Sequence, residues 1–327
     1  MTWLALVLTL LLEQVRPMRA GNALHRGAAA VVDAAARNLN AGRRHHGIYA
    51  WILVIGGALI ATLATFFVAL QFSRLVALAF DVIVLYATLG FRQFSHSFTA
   101  IQRSLNGGDF ATARTLLAEW RAANGEPTPA SGAAEPDPTE IVRQSIETGL
   151  WLAHRRVFGT LFWFVILPGP SGPVLYRLAQ SVARRWRRPP DVSSSLPPDR
   201  FGDFARVAFA VIDWLPARAT AFAFAIVGDF EGAIYCWRRL PAAHFEADGV
   251  PAPDARTVIL AAASGALGGR VLPEPEAARL ADEPGGEGAG LAEPDLNLLR
   301  SAVGLVWRAM VFWVLLLLVL SIVAFLA

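Results

Sequence analysis

The chain has 327 residues, 55% of them hydrophobic and 17% charged, and its mean hydropathy is +0.45; soluble domains carry about 25% charged residues, so a protein fully solvated by water is excluded. All 29 cationic residues are arginines, balanced by 26 acids to a net charge of +3, and the absence of lysine rules out Schiff-base chemistry and a lysine-bearing phosphate loop. The one cysteine, Cys236, rules out an intrachain disulfide and a cysteine-based metal cluster.

In chain order, Trp3 to Leu12 is apolar but too short to cross a bilayer. It lacks a basic region before it, and Arg16, Arg19 and Arg26 follow it. A cleaved signal peptide is therefore rejected in favour of a segment that packs on a helical bundle or lies at the interface. Residues 1–47 hold six arginines against two acids, which predicts a cytoplasmic N-terminal flank by the positive-inside rule. Ile48 to Leu70 contains no charge over 23 residues, enough for a spanning helix. After a tight link at Gln71–Arg74, Leu75 to Phe91 is nearly as apolar but carries Asp81. A pair with an arginine such as Arg92 or Arg308 is expected there, an ion site being the alternative.

Residues 92–156 then read as a helical cytoplasmic region, with helices at Thr112–Ala123 and Thr139–Arg156 separated by the Pro- and Gly-rich linker Asn124–Pro138. Val157 to Leu178 is long enough to span but is interrupted at Pro168–Pro173. Backbone groups freed there belong against protein or a polar cavity, in a re-entrant hairpin or a broken span. Arg184, Arg185, Arg187 and Arg188 follow, placed to meet anionic lipid headgroups. Phe204 to Gly228 is apolar but interrupted by Asp213, Pro216 and Arg218; residues 241–300 read mostly as loop, strongly acidic from Val271 onward; and Ala309 to Ala327 closes the chain as a span. The expected fold is all-α: a polytopic integral membrane bundle with broken or re-entrant helices and a helical cytoplasmic region, divided at 1–47, 48–91, 92–156, 157–240, 241–300 and 301–327. A bacterial inner membrane is the expected location, with lipid as a partner.

Candidate chemistry is sparse. Glu140, Arg143, Glu147 and His154 share one helical stripe, which suits proton transfer or phosphate binding or else a face held by i,i+4 pairs. Asp213 and Arg218 flank Pro216 inside an apolar segment, where they are expected to pair or to contact a substrate phosphate. No metal site is expected, because His45 and His46 lie on different helix faces and His25, His96 and His244 are isolated. Gly265–Gly269 follows no strand, which argues against a dinucleotide fold. The arginines sit beside membrane segments rather than in one basic domain, which argues against nucleic acid. Two proline breaks without an inverted repeat leave a transporter as a weaker reading.

Four blocks in order carry a family resemblance: Ile146-Glu147 through Leu161-Phe-Trp163, Gly169-Pro-Ser-Gly-Pro-Val-Leu-Tyr-Arg177, Trp214-Leu-Pro-Ala-Arg-Ala-Thr220, and Ser264-Gly-Ala-Leu-Gly-Gly-Arg270. Over roughly residues 140–270 the chain resembles the CobD/CbiB membrane proteins of cobalamin biosynthesis. The resemblance implies an amide-forming synthase that joins an aminopropanol phosphate to a corrinoid carboxylate with ATP and magnesium. By the surviving matches it assigns Glu147 to acid–base or metal contact and Tyr176, Arg177, Asp213, Arg218 and His154 to an anionic corrinoid or phosphate substrate. The chain departs from the family pattern at Trp151-Leu-Ala153, Arg155 and Gln180-Ser-Val-Ala183, where the family carries polar and acidic residues. Leu161 to Val165, Gly172 to Leu175 and Asp213 to Arg218 also resemble AmpE-type membrane modulators of β-lactamase induction, which implies a non-catalytic sensor as the alternative. The ligand and the oligomeric state stay open at this stage.

Overall fold

The computed structural model describes residues 2–15, 23–126, 137–187, 199–246, 248–273 and 291–326. Most of the linker 124–138, the acidic residues 274–290, and Arg16, Arg19 and Arg188 lie outside them. The architecture is an all-α membrane bundle: α1 (Thr2–Val15), α2 (Ala23–Leu39), α3 (Arg44–Trp51), α4 (Gly57–Phe72), α5 (Arg74–Thr88), α6 (Phe91–Asn106), α7 (Phe110–Asn124), α8 (Pro138–Ala153), α9 (Gly159–Ile166), α10 (Ser171–Arg185), α11 (Asp203–Val227), α12 (Phe230–Arg238), α13 (Ala255–Leu267) and α14 (Leu296–Leu326). One two-stranded antiparallel ribbon, β1 (His244–Phe245) with β2 (Pro251–Ala252), precedes α13.

Among the described residues three helices are long and apolar enough to cross a membrane: Arg44–Phe72, Asp203–Val227 and Leu296–Val323. The first joins α3 to α4 through a π-helical turn at Ile52–Gly56. It is apolar on all sides, with only Ala69 buried in its α4 part, as a helix solvated by lipid should be. The expected second span is shorter than its sequence suggests. Ser73, in extended backbone, ends α4 and caps α5 by accepting from the Leu75 amide, and the 15 residues of α5 reach only about 22 Å, short of the ~30 Å hydrocarbon core. Asp81 is buried on α5 with its Oδ1 unbonded. Of the two arginines anticipated as its partner, Arg308 instead donates to the Gly304 carbonyl and does not pair with Asp81, while the Arg92 side chain lies outside the described residues. The N-terminal segment α1 packs on α5 and α14, burying Ala5, Leu6 and Thr9.

The broken block behaves as its prolines require. From Pro138 the chain runs helically without interruption through α8, a π-helical turn at His154–Phe158 and α9, then turns at 167–170 and returns as α10. The two arms are antiparallel and very close. A Cβ at Gly172 would sit 2.0 Å from the Trp163 carbonyl oxygen, and one at Gly159 would sit 2.3 Å from the Tyr176 ring. Gly169, at φ +57°, makes the turn in a backbone region that side chains disfavour.

Pro216, expected to interrupt its segment, lies inside the unbroken 25-residue α11. Proline removes the amide that would bond the carbonyl four residues back, here Ile212, and the Trp163 indole donates to that oxygen at 3.3 Å. A neighbour from the hairpin thus satisfies the acceptor that the proline frees. Trp163→Phe is accordingly expected to lower stability by about 1 kcal/mol, measured as thermal unfolding in detergent; an unchanged transition would show that the Ile212 carbonyl does not need the indole.

The stretch 241–300 is more ordered than a loop. Its α13 is capped by Asp254, which accepts from the Thr257 amide, and closed by Gly268 at φ +63°. Nine of its residues from Val258 to Ala266 are buried, because α13 packs on α8, α11, α12 and α14. A helix covered on all sides has no polar face and so no amphipathic period to read. Helix α6 was likewise not anticipated. Three apolar clusters result among the described residues, the smallest being Ala221, Val258 and Ala262 between α11 and α13. The largest joins α8, α9, α11, α13 and α14 with α1 and α5–α7; the second joins α2, α3, α10 and the first half of α11, around Tyr176, Trp186 and Phe201.

Candidate functional site

Where the hairpin meets α11, polar groups gather in an apolar surround. His154, the first residue of the π turn, reaches Asp213 Oδ1 with Nε2 at 2.9 Å and Thr220 Oγ1 with Nδ1 at 2.9 Å. Tyr176 on α10 donates to the same Asp213 oxygen at 2.7 Å. All four residues are buried. Thr220 also stands 2.9 Å from the Pro216 carbonyl, and a hydroxyl has one proton to give. If it goes to Pro216, both imidazole nitrogens donate and a cationic His154 faces the Asp213 carboxylate; if it goes to His154, the ring is neutral. Either way the sole buried acid of α11 is surrounded by donors, as a charge in such a place must be.

The same π turn points Arg155 toward a large cavity. Its guanidinium lies 4.3 Å from the Trp151 ring and 4.8 Å from Phe209, and its Nε is 4.0 Å from Asp213 Oδ2 without a hydrogen-bond acceptor. The cavity measures about 2000 Å³, roughly twice the upper end for drug-sized ligands. Asp213, Arg155, Arg156, Arg177, Arg184 and Arg256 line its polar side, and Leu53, Val54 and Gly57 with Phe80, Ile83 and Val84 line the other. Arg177 donates to Gln180 Oε1 at 2.8 Å and to the Arg155 carbonyl at 3.5 Å. Arg184 donates to the Asn124 carbonyl at 3.1 Å, and Arg156 to the Asn124 side-chain oxygen. Among the described residues Arg177 and Arg184 thus bond only neutral oxygens, which leaves their charge available to an anion.

Glu147 sits apart from that wall. Arg143 holds its Oε2 at 3.0 Å and Arg256 its Oε1 at 2.7 Å. Arg143 also grips Glu140, at 2.6 and 2.7 Å, and the Val271 carbonyl at 3.1 Å. The Arg143 bonds hold the Glu140 carboxyl below the usual carboxylate range. Arg256 continues to Glu126 at 2.8 Å, which accepts from the Trp151 indole at 2.9 Å. This chain of alternating charges clamps α8 to α13. The stripe seen in the sequence therefore holds through Glu147 as a structural network, and His154 serves a different cluster.

Arg218 does not meet Asp213. It lies 3.8 Å over the Trp214 ring and donates to the Trp214 carbonyl at 3.1 Å; five residues along a helix put the two on different faces. Of the residues singled out from sequence, the structure gathers His154, Tyr176 and Asp213 into one cluster and sets Arg177 on the adjoining wall. Sequence reading missed Arg155, Arg156 and Thr220 as site residues. The signal for the two arginines was an Arg-Arg pair opening an apolar hairpin.

The implied magnesium and ATP are testable against this donor set. Magnesium needs several free oxygens in octahedral array. The cavity's three carboxylates are engaged: Asp213 with His154, Tyr176 and Arg155, Glu126 with Trp151 and Arg256, and Asp254 as the cap of α13. Among the described residues no three His, Cys, Asp or Glu side chains converge as a metal site would require. The cavity therefore does not fit a magnesium held by protein carboxylates, although its arginines fit an anion.

The fold and the site define a helical membrane protein with an arginine-lined cavity at the foot of a helical hairpin. The family model described as "CobD/Cbib protein" matches residues 2–272, and the chain belongs to that family. It is 27% identical over 289 residues to the "Cobalamin biosynthesis protein CobD" of Stutzerimonas stutzeri (strain A1501), covering 85% of this chain and 82% of that protein. It is 28% identical over 197 residues to the protein of the same name from Chromobacterium violaceum, covering 59% of this chain and 55% of that one. No solved structure matches.

Proposed function

We propose that this chain serves cobalamin biosynthesis as an inner-membrane, multi-pass protein that binds a large anionic corrinoid in its arginine-lined cavity, with the N-terminal flank cytoplasmic. The observation that carries the reading is the cavity wall at the hairpin: Arg155 without an acceptor at Nε and Arg177 bonded only to neutral oxygens, beside a space of about 2000 Å³. Family membership and the names of the two relatives support the pathway, and the six arginines of residues 1–47 support the orientation. Arg155 and Arg177 hold a phosphate or carboxylate of the ligand, Tyr176, His154 and Asp213 fix the hairpin that presents them, and Arg218 lies outside the binding set. Glu147 acts as a clamp between α8 and α13 rather than as acid or base.

A second reading, a non-catalytic sensor of the AmpE type, is supported by one specific feature: each cavity carboxylate is already engaged, which an ATP- and magnesium-dependent amide synthase would not favour. Complementation of a strain lacking the synthase separates the readings. Restored growth on the corrinoid precursor establishes the ligase; failure with the protein present in the membrane, together with an altered β-lactam response on deletion, establishes the sensor. Corrinoid binding by the purified protein tests the main proposal directly. Arg177→Gln is expected to weaken it by about tenfold or more, since a charge-assisted bond contributes about 1.5–3 kcal/mol, and equal affinity in wild type and variant would remove Arg177 from the site.

A further inference from the structure

The cavity joins two solvents. Its polar wall carries the arginines of the π turn and α10; its other wall is built by the membrane helix α4 and by α5. On that second wall Leu53 is 65% and Ile83 58% exposed, so most of the surface of these two apolar side chains is left uncovered by protein. Gly57, also on this wall, has open space where a side chain would stand, with nothing within 4 Å of its Cβ position. In a membrane, the surface exposed at this depth of an apolar helix is met by acyl chains.

From this geometry we infer that the cavity takes an anionic phospholipid sideways from the bilayer, its phosphate on Arg177 and Arg184 and one acyl chain along Leu53, Gly57 and Ile83. Charge decides the class of lipid. Among the described residues Arg177 and Arg184 bond only neutral oxygens, and Arg155 and Arg156 stand beside them, so the wall is cationic and a zwitterionic headgroup would bring an ammonium into it. A phosphate oxygen accepts from the planar guanidinium fork with good geometry, and headgroup attraction to arginines beside a membrane segment acts over a short range. The inference shares the cavity and Arg177 with the proposed function but does not depend on corrinoid binding; the two ligands would compete for Arg177.

The test uses the full chain in nanodiscs of phosphatidylglycerol or phosphatidylcholine, followed by transfer to detergent and native mass spectrometry of the lipid retained. Phosphatidylglycerol is expected to stay bound at least tenfold more than phosphatidylcholine. The double variant Arg177→Gln/Arg184→Gln is expected to abolish that preference. Gly57→Phe, whose Cβ has nothing within 4 Å and whose ring would occupy the apolar side of the cavity, is expected to cut retention several-fold while leaving the melting temperature within a few degrees. Soluble glycerol phosphate at millimolar concentration separates a lipid from a free phosphate: failure to displace the bound lipid supports the acyl contact. Equal retention of the two lipids, full retention in Gly57→Phe, or complete displacement by glycerol phosphate would each overturn the inference. In the wild-type chain, equal retention of the two lipids with corrinoid binding intact rejects this inference alone, and preferential retention of phosphatidylglycerol without corrinoid binding rejects the proposed function alone.

Discussion

Replacing Asp213 by alanine is expected to destabilise the protein by about 3–5 kcal/mol, the cost of breaking a buried charged cluster by removing one partner. Asp213 accepts from Tyr176 at 2.7 Å, lies 2.9 Å from the His154 ring nitrogen and stands 4.0 Å from Arg155. Without the carboxylate, a buried hydroxyl and a buried imidazole lose their common partner in an apolar surround and neither reaches water easily, while Arg155 loses its nearby carboxylate. Asp213→Asn keeps one oxygen for Tyr176 and the shape of the site, so its loss is expected to be smaller, near 1–3 kcal/mol. Tyr176→Phe removes only one donor and should cost about 1 kcal/mol. The decisive measurement is the double-mutant cycle, read from unfolding in detergent: in the Asp213→Ala background, Tyr176→Phe should have almost no further effect. Strict additivity of the two losses would show that the hydroxyl and the carboxylate do not act as one unit.

The fold class was legible because lipid imposes a simple rule on sequence. The uncharged run from Ile48 and the closing run from Ala309 announce themselves by length, and Pro168–Pro173 announces a turn because three prolines and two glycines cannot continue a helix. The features that escaped reading did so for definite physical reasons. Helix α13 is covered on all sides and so shows no period. Pro216 sits unbroken in α11 because Trp163, 53 positions earlier in the chain, supplies the missing donor, a tertiary bond no local rule contains. The site was half legible. An acid in an apolar helix marked Asp213 as something to be paired, and a histidine at the end of a charged stripe marked His154, but the pairing of one with the other needs the hairpin to fold back. Sequence proximity suggested Arg218 for Asp213, and helix geometry denies it. Glu147 matched a family position, yet both its oxygens serve arginines, and no spacing rule distinguishes such a clamp from a catalytic acid.

The hairpin itself supplies the second large expected effect, in Gly172→Ala. A methyl group there would lie 2.0 Å from the carbonyl oxygen of Trp163, 2.3 Å from its carbon and 2.9 Å from the amide nitrogen of Phe164, all of them backbone atoms that cannot rotate away. The arms of the hairpin must separate, at a cost of about 1–3 kcal/mol for overpacking or more. Separation at Gly172 also displaces the later turns of α10. One turn further along, Tyr176 would withdraw from Asp213, and Arg177 would shift on the cavity wall, so the substitution should impair anion binding as well as stability. Gly57→Ala is the control: its Cβ meets nothing within 4 Å, and alanine favours a helix over glycine by about 1 kcal/mol, so it should be neutral or stabilising. A Gly172→Ala protein that melts like the wild type and retains corrinoid and anionic lipid equally well would mean that α9 and α10 do not approach each other through bare backbone, and the site built on their contact would have to be redrawn.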